Sequence, residues 1–248
     1  MRAVKTEDLA VEAERALSSG ELQLRKGWLE LFEMFRSSAC PPAGSKLSII
    51  SVNWSETWIR WSLYIAARAT SLSEDRKSAL LHFINDMEIF ANEIHGLDSP
   101  HGSSGRLLGS VRGTIRTSAD KLRYLPVNQH KTSGQQAQHS STADWPPPIV
   151  IYVGDSTTDY DCLRCADIGV WIADMPQTEY KTKFAETFKP LKYVPPSIHD
   201  LDATDASQWC VWAPNFEEVA NAVAALDPGL VKSGSVEREV EDRRIARD

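Results

Sequence analysis

The sequence predicts an α/β protein built on a parallel sheet, and three observations carry that prediction. The run Ile149–Val153 is apolar throughout, as a strand buried on both faces of a parallel sheet is. Further short apolar runs, Leu47–Val52 and Ile168–Ile172, recur along the chain. Between and around them lie segments with apolar residues at helical spacing, and strands alternating with helices imply a three-layer parallel arrangement.

The elements follow in order. Thr6 to Leu17 reads as a helix with an acidic outer face, ended by Gly20; Leu22 to Arg36 reads as a second helix with Trp28, Leu29, Leu31, Phe32 and Phe35 as its apolar set. Cys-Pro-Pro-Ala-Gly-Ser then breaks it. The strand Leu47–Val52 delivers Ser51, Asn53 and Ser55 at its carboxyl end, where they either donate to a phosphate or simply cap the helix Glu56–Ala67 that follows. A polar turn over Thr70–Lys77 precedes a strand within Met87–Ile94, and the Gly/Ser-rich stretch His95–Gly113 reads as loop or hairpin. Ser118 is the expected cap of a short helix that carries Lys121 in its first turn, an electrostatically awkward place for a cation unless an anion sits nearby.

His130 to Pro148 is poor in apolar residues and predicts a disordered insertion. After the apolar run at Ile149, Gly154 permits a sharp turn, and Asp155 and Asp159 fall where a helix begins. Two carboxylates at the carboxyl end of a parallel strand suit a hard divalent cation such as Mg²⁺, although Asp155 or Ser156 acting only as a helix cap gives the same local pattern. A helix and loop, a last strand in Gln208–Ala213 and a closing helix Phe216–Leu226 complete the domain, followed by a charged tail, Val231–Asp248.

Composition limits the function classes. The net charge of -7 argues against a general nucleic-acid or membrane-surface binder, which needs a basic face. No apolar stretch approaches the roughly 18 to 20 residues of a membrane span, and a charged amphipathic N-terminal segment lacks a signal-peptide core, so a cytoplasmic location is expected. Of the four cysteines, Cys162 and Cys165 are one helical turn apart, a spacing that packing explains without a metal.

The stretch Gly154-Asp-Ser-Thr-Thr-Asp159 and the strand after it resemble the fourth signature motif of the haloacid dehalogenase-like (HAD) hydrolases, in which two aspartates hold Mg²⁺. Ser51 looks like that family's second motif, a hydroxyl that binds the phosphoryl group, with Asn53 beside it, and Lys121 looks like the third, a lysine that neutralises phosphate charge. More narrowly, SVNWSETWI, EIFANEI and IRTSADKL resemble a fungal branch similar to the phosphatase domain that plants fuse to a TenA-like domain.

The resemblance implies a Rossmann-like HAD core over residues 1–230 and hydrolysis of a small phosphorylated metabolite, thiamine monophosphate or a similar phosphomonoester, by an aspartate nucleophile. Lys121 and Ser51 are then the catalytic residues present, Ser51, Asn53 and Lys121 the phosphate ligands, and Asp155 and Asp159 the Mg²⁺ ligands. The nucleophile motif, D-x-D at the end of a strand, should precede Ser51, yet the one aspartate there is Asp8, within a charged helix. The expectation is therefore a core incomplete at its N-terminus, with residues 1–20 the remnant of a largely absent helical cap, inactive as given. The alternative is a pseudoenzyme or non-catalytic binding protein on the same fold.

Overall fold

The structure, a computed structural model, describes residues 3–37, 45–103, 105–126, 149–189, 192–202, 204–205 and 207–226. The expected insertion at 130–148 and the tail at 231–248 lie outside the described residues. The chain forms two compact units, Met1–Tyr124 and Leu125–Asp248. Both are mixed α/β, and each contains a small parallel sheet.

In the first unit, α1 (Thr6–Ser19) carries Glu7 and Asp8 in its first turn, where they complement the helix dipole, and stops at Gly20 with φ 76°. It packs along α3 with Leu9, Ala13 and Ala16 buried, so these residues belong to the body of the unit. Helix α2 (Trp28–Ser37) begins later than its apolar spacing suggests, because Gly27 takes φ 82° and interrupts the helical path. Strand β1 (Ser48–Ile50), helices α3 (Glu56–Arg68) and α4 (Glu74–Asp86), and strand β2 (Glu88–Phe90) follow, with β2 parallel to β1 and Ile49 opposite Ile89.

Two expectations are corrected here. The polar stretch Thr70–Lys77 is a turn only as far as Ser73: Glu74 and Asp75 occupy the first turn of α4, while Leu80 and Ile84, four residues apart, are fully buried. The single strand expected in Met87–Ile94 is two, since the chain turns at Ala91-Asn92 before β3 (Glu93–Ile94), which pairs antiparallel with β4 (Leu107–Leu108). The core joins Phe32 of α2, Leu63 and Ala67 of α3, Leu80 and Ile84 of α4 and Ile89 of β2. Burial of each large apolar side chain contributes about 1.5–3 kcal/mol. The unit closes with α5 (Ser118–Leu122).

The second unit is a three-stranded parallel sheet in chain order: β5 (Ile151–Gly154), β6 (Ile168–Ile172) and β7 (Cys210–Ala213). Helix α6 (Tyr160–Cys165) connects β5 to β6, α7 (Tyr180–Thr187) lies between β6 and β7, and α8 (Phe216–Ala225) follows β7. Every residue of β6 and β7 is buried, as expected for parallel strands covered on both faces. Trp171 and Phe184 meet edge to face, and Tyr180 stacks on Trp212 at 4.3 Å. Among the described residues no helix is long and apolar enough to cross a membrane.

Gly169 sets the approach of α6 to this sheet. A Cβ there would lie 2.4 Å from the Leu163 carbonyl oxygen and 2.8 Å from that of Trp209, both rigid main-chain atoms. Gly169→Ala is expected to destabilise the protein by about 1–3 kcal/mol or more, the usual cost of overpacking. The denaturant midpoint checks this, and an unchanged midpoint would mean that α6 and β6 are not so close.

Candidate functional site

The turn after β5 is built around Asp159. Gly154 is buried and has no room for a side chain: a Cβ would lie 2.5 Å from both Cβ and Cγ of Asp159. That contact brings the Asp159 carboxylate against the strand end, where it is 4% exposed. Its Oδ1 accepts from the Tyr152 hydroxyl at 2.6 Å. Its Oδ2 accepts from the N–H groups of Asp155 and Ser156 at 3.2 and 3.0 Å and from Ser156 Oγ at 2.7 Å. Ser156 and Asp159 thereby cap each other's backbone across the first turn, residues 157–159, ahead of α6. Burial, then the adjacent Asp159 charge, raises the Tyr152 phenol well above its ordinary pKa, so it remains a donor. The indole of Trp171, on the neighbouring strand β6, supports the same turn by donating to the Asp155 carbonyl at 3.3 Å.

The two predicted metal ligands therefore differ. Asp155 is exposed at the carboxyl end of β5. Asp159 has both oxygens engaged by four protein donors, an arrangement that shapes the turn and leaves little capacity for direct coordination. Among the described residues no three His, Cys, Asp or Glu side chains cluster as a metal site. Mg²⁺ is commonly held by about one or two carboxylates together with substrate phosphate and water, and Asp155 alone fits that habit.

The predicted phosphate ligands lie in the first unit. Ser51 follows β1 directly; its N–H donates to the Phe90 carbonyl at 2.8 Å, continuing the parallel ladder, and its Oγ accepts from the Asn53 N–H at 3.1 Å. Asn53 Oδ1 accepts from the Ser55 N–H at 3.0 Å. Ser55 is the buried cap of α3, its Oγ accepting from the Trp58 N–H at 3.0 Å and donating to Glu93 Oε1 at 2.7 Å. Glu93 also receives the N–H and hydroxyl of Thr57 at 2.9 and 2.7 Å. Capping thus accounts for Ser55, whereas Ser51 and Asn53 remain half-buried on the loop itself.

Lys121 is 5% exposed, unusually buried for a lysine. Its placement in α5 also differs from expectation. Thr117, not Ser118, is the cap, since its Oγ1 accepts from the Asp120 N–H at 3.2 Å, and Lys121 falls in the last turn of the five-residue helix. The expected conflict with the helix dipole does not arise there. Asp120 closes the cap by accepting the N–H groups of Arg116 and Thr117 at 2.9 and 3.0 Å.

Ser51, Asn53 and Lys121 thus belong to the first unit, and Asp155 and Asp159, joined by a direct hydrogen bond, to the second. Sequence reasoning passed over Asn92, Glu93 and Tyr152. Glu93 carries one faint signal, an acid beside an asparagine in the otherwise apolar run 89–94.

Two expected outcomes follow from these contacts. Tyr152→Phe leaves one oxygen of a buried carboxylate without its donor and should lower stability by about 1–3 kcal/mol in equilibrium unfolding; no change would mean that Tyr152 does not hold Asp159. The Arg116 N–H, followed by the Thr117 side chain and N–H and the Arg123 guanidinium, holds the Asp120 carboxyl below its usual range. A depressed pKa stabilises where the group is ionised, so the cap of α5 should be fully formed above about pH 4 and lost as pH falls through the lower folded-state value. Amide exchange in residues 117–122 should rise on that acid limb, relative to the rest of the unit, in the wild type but not in Asp120→Asn.

No family model, curated protein or solved structure matches this chain, so its functional reading rests on the residues of the two turns.

Proposed function

We propose that this chain binds a small phosphorylated metabolite on a Rossmann-like core of the HAD kind, with Ser51, Asn53 and Lys121 as its phosphate side. The observation that carries the reading is the placement of the polar sets: Ser51 and Asp155 each follow directly on the carboxyl end of a parallel strand, β1 and β5. Ligands of open parallel sheets bind at such strand ends, and here each unit has its own. A buried lysine in the same unit as Ser51 adds cationic charge for a phosphate in a chain whose net charge is otherwise negative.

In this reading Ser51 and Asn53 orient the phosphate, and Lys121 offsets its charge. Asp155 would hold Mg²⁺, with Asp159 fixing the turn from which it projects. When bound, an ion at that turn of the second unit would act as a Lewis acid. Hydrolysis needs a carboxylate nucleophile as well, and no D-x-D segment precedes Ser51 in this sequence. Phosphate binding without turnover by this chain is therefore the expected activity, with a phosphomonoester such as thiamine monophosphate as ligand and the cytoplasm as its setting.

Calorimetric titration of the full chain with orthophosphate tests the reading. Lys121→Met should weaken binding about tenfold or more, the worth of a charge-assisted hydrogen bond. Lys183→Met, which removes an exposed lysine of α7, should leave it unchanged. Equal affinity in the two variants would remove Lys121 from the site. Release of phosphate from a generic phosphomonoester faster than in buffer, lost in Asp155→Ala, would instead reveal a nucleophile elsewhere in the chain.

A further inference from the structure

Asn92, between β2 and β3, makes contacts that no strand residue needs. It is 4% exposed, and its amide reaches two segments far apart in sequence. Nδ2 donates to the carbonyls of Val52 at 3.3 Å, Asn53 at 3.0 Å and Ile115 at 2.9 Å. Oδ1 accepts from the Ile115 N–H at 2.9 Å. One side chain thus pairs with both main-chain groups of a fully buried residue, as a neighbouring strand would, and with the loop that carries Ser51 and Asn53. The Asn92 backbone continues the connection: its N–H donates to the Asn53 carbonyl at 3.2 Å, and its carbonyl accepts from the Glu56 N–H at 2.8 Å, in the first turn of α3.

Ile115 lies just ahead of the Thr117 cap of α5, the helix that carries Lys121. Between Ile115 and Lys121 the chain is fixed by the Asp120 bonds to Arg116 and Thr117, which leaves little slack. From the other side, Glu93 anchors the first turn of α3. The Ser51–Asn53 loop and the Lys121 helix are consequently tied to the same amide.

Only an amide of this length serves. Aspartate would turn an ionised carboxylate toward three carbonyl oxygens, and an apolar residue would leave the N–H and C=O of Ile115 buried and unpaired.

We infer that Asn92 is a positioning residue: it couples the Ser51–Asn53 loop to the Lys121 helix, so that a phosphate meets both in a preset arrangement and does not have to order them on binding. This inference rests on the phosphate reading above. It predicts an effect on ligand affinity beyond the effect on stability, and a dependence on pH that a packing role alone would not give.

The test titrates orthophosphate into the full-length wild type, Asn92→Asp, Asn92→Gln and Leu80→Ala by calorimetry. Leu80→Ala opens a cavity in the core at a fully buried position and serves as a destabilised control. At about pH 8, where the introduced carboxyl is ionised, Asn92→Asp should bind about tenfold more weakly than wild type, and Leu80→Ala within about twofold. At about pH 5.5 the ratio of wild-type to Asn92→Asp affinity should shrink, because burial raises the carboxyl pKa and its protonated form regains a donor. Amide exchange in Asn92→Asp should rise together in residues 51–56 and 114–122. Asn92→Gln, which keeps the amide but displaces it, should bind at least about threefold more weakly than wild type, and it carries the test if the aspartate variant does not fold. Wild-type affinity in both Asn92 variants, or equal weakening in Leu80→Ala, overturns the positioning role and leaves the phosphate reading intact. Absence of phosphate binding by the wild type overturns both.

Discussion

The unpaired N–H groups where helices begin are the constraint on which both units depend. Turns ahead of helices leave such donors, and in both units carboxylates of the chain receive some of them. Glu93 accepts from Thr57 at the start of α3, Asp120 from Arg116 and Thr117 at the start of α5, and Asp159 from Asp155 and Ser156 ahead of α6. These are charge-assisted bonds, each worth more than a neutral pair, and those of Glu93 and Asp159 lie in partly buried turns. Positions that would otherwise attract a free anion thus already hold one from the chain itself. A phosphate must be recognised by other groups, which is why Ser51, Asn53 and Lys121, rather than a helix start, form the proposed binding set.

The same constraint separates what was legible in the sequence from what was not. Strand β6 is read at its observed limits, Ile168–Ile172, because a short apolar run of that length bounded by Asp167 and Ala173-Asp174 admits little else. Helices α1, α3 and α8 are found to within a turn, since each repeats its apolar face and is bounded by a capping residue or a glycine. Helix α4 is missed for the opposite reason: its first turns are charged, and its buried residues, Leu80 and Ile84, come late. Apolar spacing also starts α2 too early, at Leu22, because periodicity does not register the positive φ of Gly27.

At the candidate site, local chemistry was legible and distant chemistry was not. Gly154, Asp155 and Asp159 announce a tight turn because they are close in sequence, although the sequence could not say that Asp159 would be enclosed by Tyr152 and Ser156. Asn92 bonds to residues 23 and 39 positions away, and Glu93 to one 38 positions away. No local pattern encodes such contacts. Lys121 is an intermediate case: its sequence marks a short capped helix, but only the fold makes it a buried cation.

Trp171 joins two otherwise separate properties of the second unit. Its ring is buried in the aromatic core against Phe184 and Phe188, while its indole N–H ends on the carbonyl of Asp155. Indole emission responds to that hydrogen bond and to the polarity around the ring, so the protein contains an intrinsic optical gauge of the Asp155 turn. A rearrangement of the turn that left the sheet intact would alter this residue's spectrum before any loss of secondary structure.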